Sequence, residues 1–244
     1  MVVAWLGFAG IGIIMARYFK DTWMRGDCCG LAQWFLWHRF LMMSTWGLTV
    51  AAFICIVVDV GGFDYSLPYN NPHPFLGLLV LALVSIQPLV ALFRPSADTS
   101  YRWVFNWAHW FIGNSTHVIA ILTMFFAIGL PKAGLPTEVT WMLVFYVGWY
   151  LVTHVVLSLN ICWADNLPSS RSQIYPLSGR GSAEIGILEE NVYLEKDKPG
   201  SGCRIFCLAL HLVIVVVIIL LIVYAVIMAP DNMLLELGLI HQQV

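Results

Sequence analysis

The sequence predicts an all-α membrane protein: a transmembrane helical bundle plus one C-terminal transmembrane helix. Three observations carry that prediction. Of the 244 residues, 60% are hydrophobic and only 11% charged, with mean hydropathy +0.81, whereas a soluble domain carries about a quarter charged residues. Six apolar stretches, at 2–18, 34–58, 75–93, 104–129, 139–162 and 205–229, approach or exceed the about 20 residues an α-helix needs to cross the hydrocarbon core. They are continuous instead of alternating, which excludes barrel strands, so each must satisfy its backbone by helical bonds within the segment.

The first span is followed by Arg17 and Lys20. A cleaved signal peptide carries its positive charge before the apolar run, so this segment is read as a retained helix with its N-terminus outside. The second span holds Arg39 just inside its start, Arg94 and Arg102 lie between the third and fourth, and Arg171, Arg180, Lys196, Lys198 and Arg204 lie between the fifth and sixth. Every basic residue except Lys132 therefore falls on one face, which the positive-inside rule makes cytoplasmic. Residues 1–162 read as one bundle joined by short loops. Residues 163–204, rich in Ser, Gly and charge, read as a flexible cytoplasmic linker with a short amphipathic piece around Ile185–Leu194. Residues 205–229 read as a lone anchoring helix and 230–244 as an exoplasmic tail. The membrane is expected to be the plasma membrane or an endomembrane.

Several function classes drop out. A net charge of −2 offers no footprint for nucleic acid. Cys28, Cys29, Cys162, Cys203 and Cys207 sit on or near the reducing face, so no disulfide framework is expected. The sequon Asn114-Ser115-Thr116 falls inside the fourth span, out of reach of glycosylation. No carboxylate lies deep in a span and no paired broken helices are visible, which disfavours a channel or transporter.

The interior ionisable residues are histidines. His38 enters about four residues into the second span and His109 about five into the fourth, both from the cytoplasmic face, so both imidazoles reach a depth of roughly 6–8 Å. Two neutral imidazoles at one level on neighbouring helices suit six-coordinate haem iron, one on each side of the porphyrin. A bland alternative is that each ring bonds across a helix pair. His73, in Asn71-Pro72-His73-Pro74, marks the outer start of the third span. His117 and His154 are read as packing or interhelical bonding, and His211 and His241 as incidental.

Several blocks in fixed order carry a resemblance: Trp37-His38-Arg39-Phe40-Leu41-Met42, Asn71-Pro72-His73-Pro74-Phe75-Leu76-Gly77, Gln87-Pro88-Leu89, Leu92-Phe93-Arg94-Pro95 and Phe105-Asn106-Trp107-Ala108-His109-Trp110. Over about residues 1–162 the chain resembles the cytochrome b561 domain, more closely its ferric-chelate reductase 1 branch, in which reelin-like and DOMON domains precede it. The bundle then looks like that domain's second to sixth helices. The resemblance implies haem b, with His38 and His109 as axial ligands of a cytoplasmic haem and His73 as one ligand of an exoplasmic haem. The second ligand of that haem lies, in the family, in a His-Gly motif just before the point where this chain begins, so the chain reads either as a fragment or short isoform of a longer protein or as one that works with a single haem.

The implied activity is transmembrane electron transfer, a ferric-reductase-like oxidoreductase, from a cytosolic reductant such as ascorbate to an acceptor such as a ferric chelate. Arg17, Lys20, Arg39 and Arg102 would receive the anionic donor. Asp64, Tyr69 and Asn71 would line the acceptor side. The expected partners are membrane lipid and these two small molecules, with a homodimer left open. The competing readings are a non-catalytic membrane accessory isoform that keeps the bundle without electron transfer, and a channel or transporter.

Overall fold

A computed structural model describes residues 1–23, 27–28, 31–62, 72–96, 98–130, 133–167 and 197–236. A π-helical segment, Val3–Ala9, runs directly into α1, Gly10–Tyr18. A small antiparallel ribbon follows, β1 Asp27–Cys28 paired with β2 Leu31–Ala32, with Asp27 opposite Ala32 and Cys28 opposite Leu31. The long helices are α2 Gln33–Val60, α3 His73–Leu92, α4 Arg102–Ile128, α5 Glu138–Asp165 and α6 Ser201–Glu236. They alternate in direction, so one end of the bundle gathers Lys20, Arg39, Arg94 and Arg102, and the other holds His73.

Among the described residues, five helices are long and apolar enough to cross a membrane: Gln33–Val60, His73–Leu92, Arg102–Ile128, Glu138–Asp165 and Ser201–Met228. Six spans were expected, and the difference is the first, Val3–Tyr18, which is shorter. Its position explains how a short helix suffices. Ala4, Trp5, Leu6, Ala9, Ile14 and Met15 are all buried, and this segment packs against α2, α4, α5 and α6. It is the axis of the bundle and not part of its lipid-facing wall. Gly7, Gly10 and Gly12 let neighbouring backbones approach it, as small residues do in membrane helix packing. At Gly10 an added Cβ would lie 2.8 Å from the Tyr146 hydroxyl, which itself donates to the Leu6 carbonyl at 3.1 Å.

Outward from this axis the surface is apolar. Ile54, Leu89, Val155 and Leu220 are exposed along the spans, a pattern that suits hydrocarbon and would be unstable in water. Five threonine hydroxyls inside the spans find an acceptor within their own helix. Thr45, Thr49, Thr116, Thr123 and Thr153 each donate to the carbonyl four residues earlier, so no separate partner is needed in lipid.

The C-terminal helix departs from its reading as a lone anchor. It begins at Ser201, before the expected 205, and packs on α5 and on the π-helical segment. Val215, Ile218 and Ile222 are buried in the same core as Trp5 and Tyr146. Its first turn is fastened by Arg204, only 2% exposed, which donates to Thr22 Oγ1 (3.0 Å), Asn160 Oδ1 (3.1 Å) and the carbonyls of Pro199 and Lys198. Just before the helix, Lys198 Nζ lies 2.7 Å from Asp21 and 3.5 Å from Asp165, and its backbone N–H donates to the Asp21 carbonyl. The hydrogen bond to Asp21 raises the Lys198 pKa above its ordinary value, with both carboxylates contributing. The remainder of the expected linker, 168–196, lies outside the described residues.

Arg204→Ala should therefore loosen the sixth helix from the bundle. Two side chains and two carbonyls lose a buried charged donor, so stability in detergent should fall by about 2–3 kcal/mol. Thermal unfolding of the two proteins checks this, with Arg204→Lys falling between them.

Candidate redox site at the basic end of the bundle

His38 lies in the second turn of α2, and α1 crosses beside it. The backbone oxygen of Gly12 accepts a hydrogen bond from His38 Nδ1 at 2.9 Å. A carbonyl can only accept, so Nδ1 carries the proton and Nε2 carries the lone pair. That is the tautomer of a metal-ligating histidine, held by a carbonyl in the manner typical of such ligands. Gly12 makes the approach of the two helices feasible: a Cβ there would run into the end of the Met42 side chain and meet Leu41 Cβ at 3.3 Å.

His109 projects from α4 at the same level. Its ring centre is 6.3 Å from that of His38, with the planes at 75°. Phe105, one turn earlier, stacks on His109 at 5.6 Å and 9°, fixing the imidazole plane. Gln87 of α3 donates to the His109 carbonyl at 3.4 Å, which ties α3 to α4 at this depth. Nδ1 of His109 is buried and has no hydrogen-bond partner. Such an atom is costly in an apolar interior.

Cations crowd the surface above this pair, each laid over an aromatic ring. Arg94 and Arg39 share Phe35, at 4.9 and 5.6 Å from its centre. Lys20 lies over Trp34 and Arg102 over Phe105, both at 5.6 Å. Arg102 also donates to Asn106 at 3.1 Å and to the Pro95 carbonyl. Burial, and then repulsion from Arg102, hold the Arg94 pKa below its ordinary value. The charge of Arg94 reaches both His38 and His109, and that of Lys20 reaches His38. The sequence reading named Lys20, Arg39 and Arg102 but passed over Arg94. Its only signal was its place in Leu92-Phe93-Arg94-Pro95. Arg17, also named, turns away from this cluster and donates to the Tyr18 hydroxyl at 3.1 Å.

His73 sits at the far end. Its Nδ1 is 2.8 Å from the Thr123 carbonyl of α4 and so is likewise the protonated nitrogen. Fourteen residues of α3 separate His73 from Gln87, about 21 Å of helical rise. An apolar cavity of about 280 Å³ opens near this end, lined by residues including Met1, Val2, Met124, Val139 and Leu143. Asp64, Tyr69 and Asn71, named for the acceptor side, lie outside the described residues. His117 and His154 do not face each other across an open space; the Tyr150 ring packs against both, at 5.2 and 4.4 Å. His211, read as incidental, is fully buried and lies 3.3 Å from Thr153 Oγ1.

Among curated proteins, a putative ferric-chelate reductase 1 homolog of Drosophila melanogaster is 35% identical over 237 residues, 96% of this chain and 36% of that protein. Ferric-chelate reductase 1 of Homo sapiens is 38% identical over 161 residues, covering 66% of this chain and 27% of its own length. A cytochrome b561 and DOMON domain-containing protein of Arabidopsis thaliana is 32% identical over 126 residues, 51% of this chain and 31% of that protein. The chain is homologous to the ferric-chelate reductase 1 and cytochrome b561/DOMON proteins. It spans roughly a third of the length of the relatives it matches. It is a helical, multi-pass membrane protein. No family model matches the chain, and no solved structure matches it.

The cofactor implied by the resemblance can be tested against the geometry. A metal–imidazole bond is about 2 Å and a ring nitrogen lies about 1 Å from its ring centre, so two rings on opposite sides of one iron have centres about 6 Å apart. The separation of His38 and His109 fits, and so does the tautomer of His38. Among the described residues no three His, Cys, Asp or Glu converge as a bare metal ion would need. A porphyrin supplies its own four nitrogens and asks only two ligands of the protein.

Gly12→Val should disturb the carbonyl that orients His38 by pushing α1 off α2. The expected cost is about 1–3 kcal/mol of stability from overpacking. Met42→Ala in the same chain should recover part of it, and a double-mutant cycle on thermal unfolding measures that coupling.

Proposed function

We propose that this chain is the haem-binding part of a transmembrane electron-transfer protein of the ferric-reductase type, with His38 and His109 as the two axial ligands of one haem b. The observation that carries this reading is the facing of those two imidazoles at 6.3 Å, one of them locked by Gly12 in the ligating tautomer. When bound, the haem supplies a one-electron centre whose potential its surroundings set. The chain's own residues do the rest. His38 and His109 hold the iron from two helices that α1 and α3 brace. Phe105 fixes one ring plane, and the lipid-facing walls of α2 and α4 keep water from the site.

Lys20, Arg39, Arg94 and Arg102 form the docking face for an anionic cytosolic reductant such as ascorbate. Their side chains lie flat on Trp34, Phe35 and Phe105, so positive charge is held beside the site and not left extended in solvent. His73, on the exoplasmic side in this orientation, would supply one of the two ligands of a second haem on the way to a ferric chelate. The reading draws support from the names of the relatives, ferric-chelate reductase 1 and cytochrome b561, and from the alternation of the helices.

Two measurements test it. Purified protein should give a reduced-minus-oxidised difference spectrum with Soret and α bands; His38→Ala and His109→Ala should each remove the signal of the His38/His109 site, and His73→Ala should leave it. A preparation with no such bands after haem supplementation would return the chain to a membrane accessory role. For the docking face, Arg94→Gln combined with Arg102→Gln should slow reduction by ascorbate about tenfold at low salt. The difference should shrink as ionic strength rises, and a neutral reductant should not distinguish the proteins.

A further inference from the structure

The bundle buries a second group of titratable side chains that the His38/His109 site does not use. His117 of α4 is 4% exposed, and among the described residues neither of its ring nitrogens has a hydrogen-bond partner. Its ring centre lies 6.3 Å from Trp5 and 5.2 Å from Tyr150. Tyr150 in turn meets His154 at 4.4 Å, Tyr146 at 5.8 Å and His211 at 6.0 Å. Trp5 Nε1, His154 Nε2 and His211 Nε2 are also buried without partners. Five unpaired nitrogens on four side chains thus gather round one tyrosine. Buried polar groups without a protein partner are the ones that ordered water satisfies.

From this cluster hydrogen bonds continue to the basic end. His154 Nδ1 is 2.8 Å from the Tyr18 hydroxyl, which lies 2.9 Å from Ser158 Oγ and accepts from Arg17 Nε at 3.1 Å. Arg17 is exposed. By helical rise His154 is about 16 Å from the Asp165 end of α5, and His117 about 22 Å from the Arg102 end of α4. The path therefore reaches from the surface to the middle of the membrane. Towards the His73 end the residues beyond His117, namely Ala120, Met124, Val139 and Leu143, are apolar.

We propose that Tyr18, His154 and His117, packed about the Tyr150 ring, form a water-assisted proton relay, which takes one proton from the cytoplasmic surface for each electron taken up at the His38/His109 site. This rests on the electron-transfer reading above. The Tyr18 hydroxyl passes its proton to His154 and regains one from water beside Arg17. His154 passes a proton through intervening water to His117, which becomes an imidazolium. One electron and one proton enter together, so no net charge is added to the low-dielectric interior; when the electron leaves, the proton returns by the same route. The groups facing His117 are Trp5 and Tyr150. Behind Tyr150 stand Tyr146, His154 and His211, and Tyr18 and Arg17 face His154. No carboxylate is among them, which leaves imidazole as the proton acceptor.

The test uses the full chain in lipid nanodiscs. The first readout needs no haem: infrared bands of isotope-labelled histidine, with the His117 band assigned by its loss in His117→Phe, are followed after transfer to D2O. Wild-type His117 should exchange within minutes, and Tyr18→Phe and His154→Phe should slow it at least tenfold. No exchange in the wild type, or equal rates in all three proteins, would overturn the relay. The second readout is the midpoint potential of the haem against pH, which should fall with rising pH in the wild type and flatten in His117→Phe while the haem bands persist. A flat wild-type profile would overturn the coupling to electrons. Absence of haem bands in every preparation, with exchange as expected, would fault the electron-transfer reading and leave the proton path standing.

Discussion

The bundle depends on one close arrangement: a short helix of small and apolar residues threaded through its axis, whose backbone carbonyls accept side chains from the helices around it. Ala4 accepts from Thr45, Leu6 from Tyr146, and Gly12 from His38. Each helical carbonyl has a second lone pair to spend, and in lipid no water competes for it. The packing is possible because Gly7, Gly10 and Gly12 present no side chain where neighbours press in. The same helix then delivers Tyr18 to His154 and Ser158. Remove this axis and the histidines of both interior groups lose their orientation.

The two groups are built on opposite principles. Around His38 and His109, two imidazoles face each other at 6.3 Å beneath cations that lie over Phe35, Trp34 and Phe105. Around His117, polar ring nitrogens turn inward on each other with tyrosines between them, leaving no gap for a macrocycle between His117 and His154. An electron carrier in a bilayer faces the cost of adding charge to a low-dielectric region. In the proposed function, a site that accepts electrons and a neighbouring site that accepts protons answer the same electrostatic problem.

Arg204 shows how the C-terminal helix comes to belong to the bundle. A guanidinium hidden at a helix start is tolerable only with several acceptors, and Thr22, Asn160 and two carbonyls meet that need from three parts of the chain. The helix also brings His211 to the cluster, so its role extends beyond anchoring.

Composition and charge placement were enough to read a helical membrane bundle, because hydrocarbon imposes span length and continuity on any sequence that enters it, and both are visible residue by residue. The equal depth of His38 and His109 was legible for the same reason: helical rise converts position into depth. What lay beyond the sequence was anything set by rotation about a helix axis or by which helices touch. That Val3–Tyr18 is the axis and not a wall, that Arg94 lies beside the histidine pair and Arg17 does not, and that Tyr150 joins three histidines were decided by tertiary packing. An apolar helix with small residues reads alike whether it faces lipid or protein, since both are equally oily, and only the packed bundle distinguishes the two.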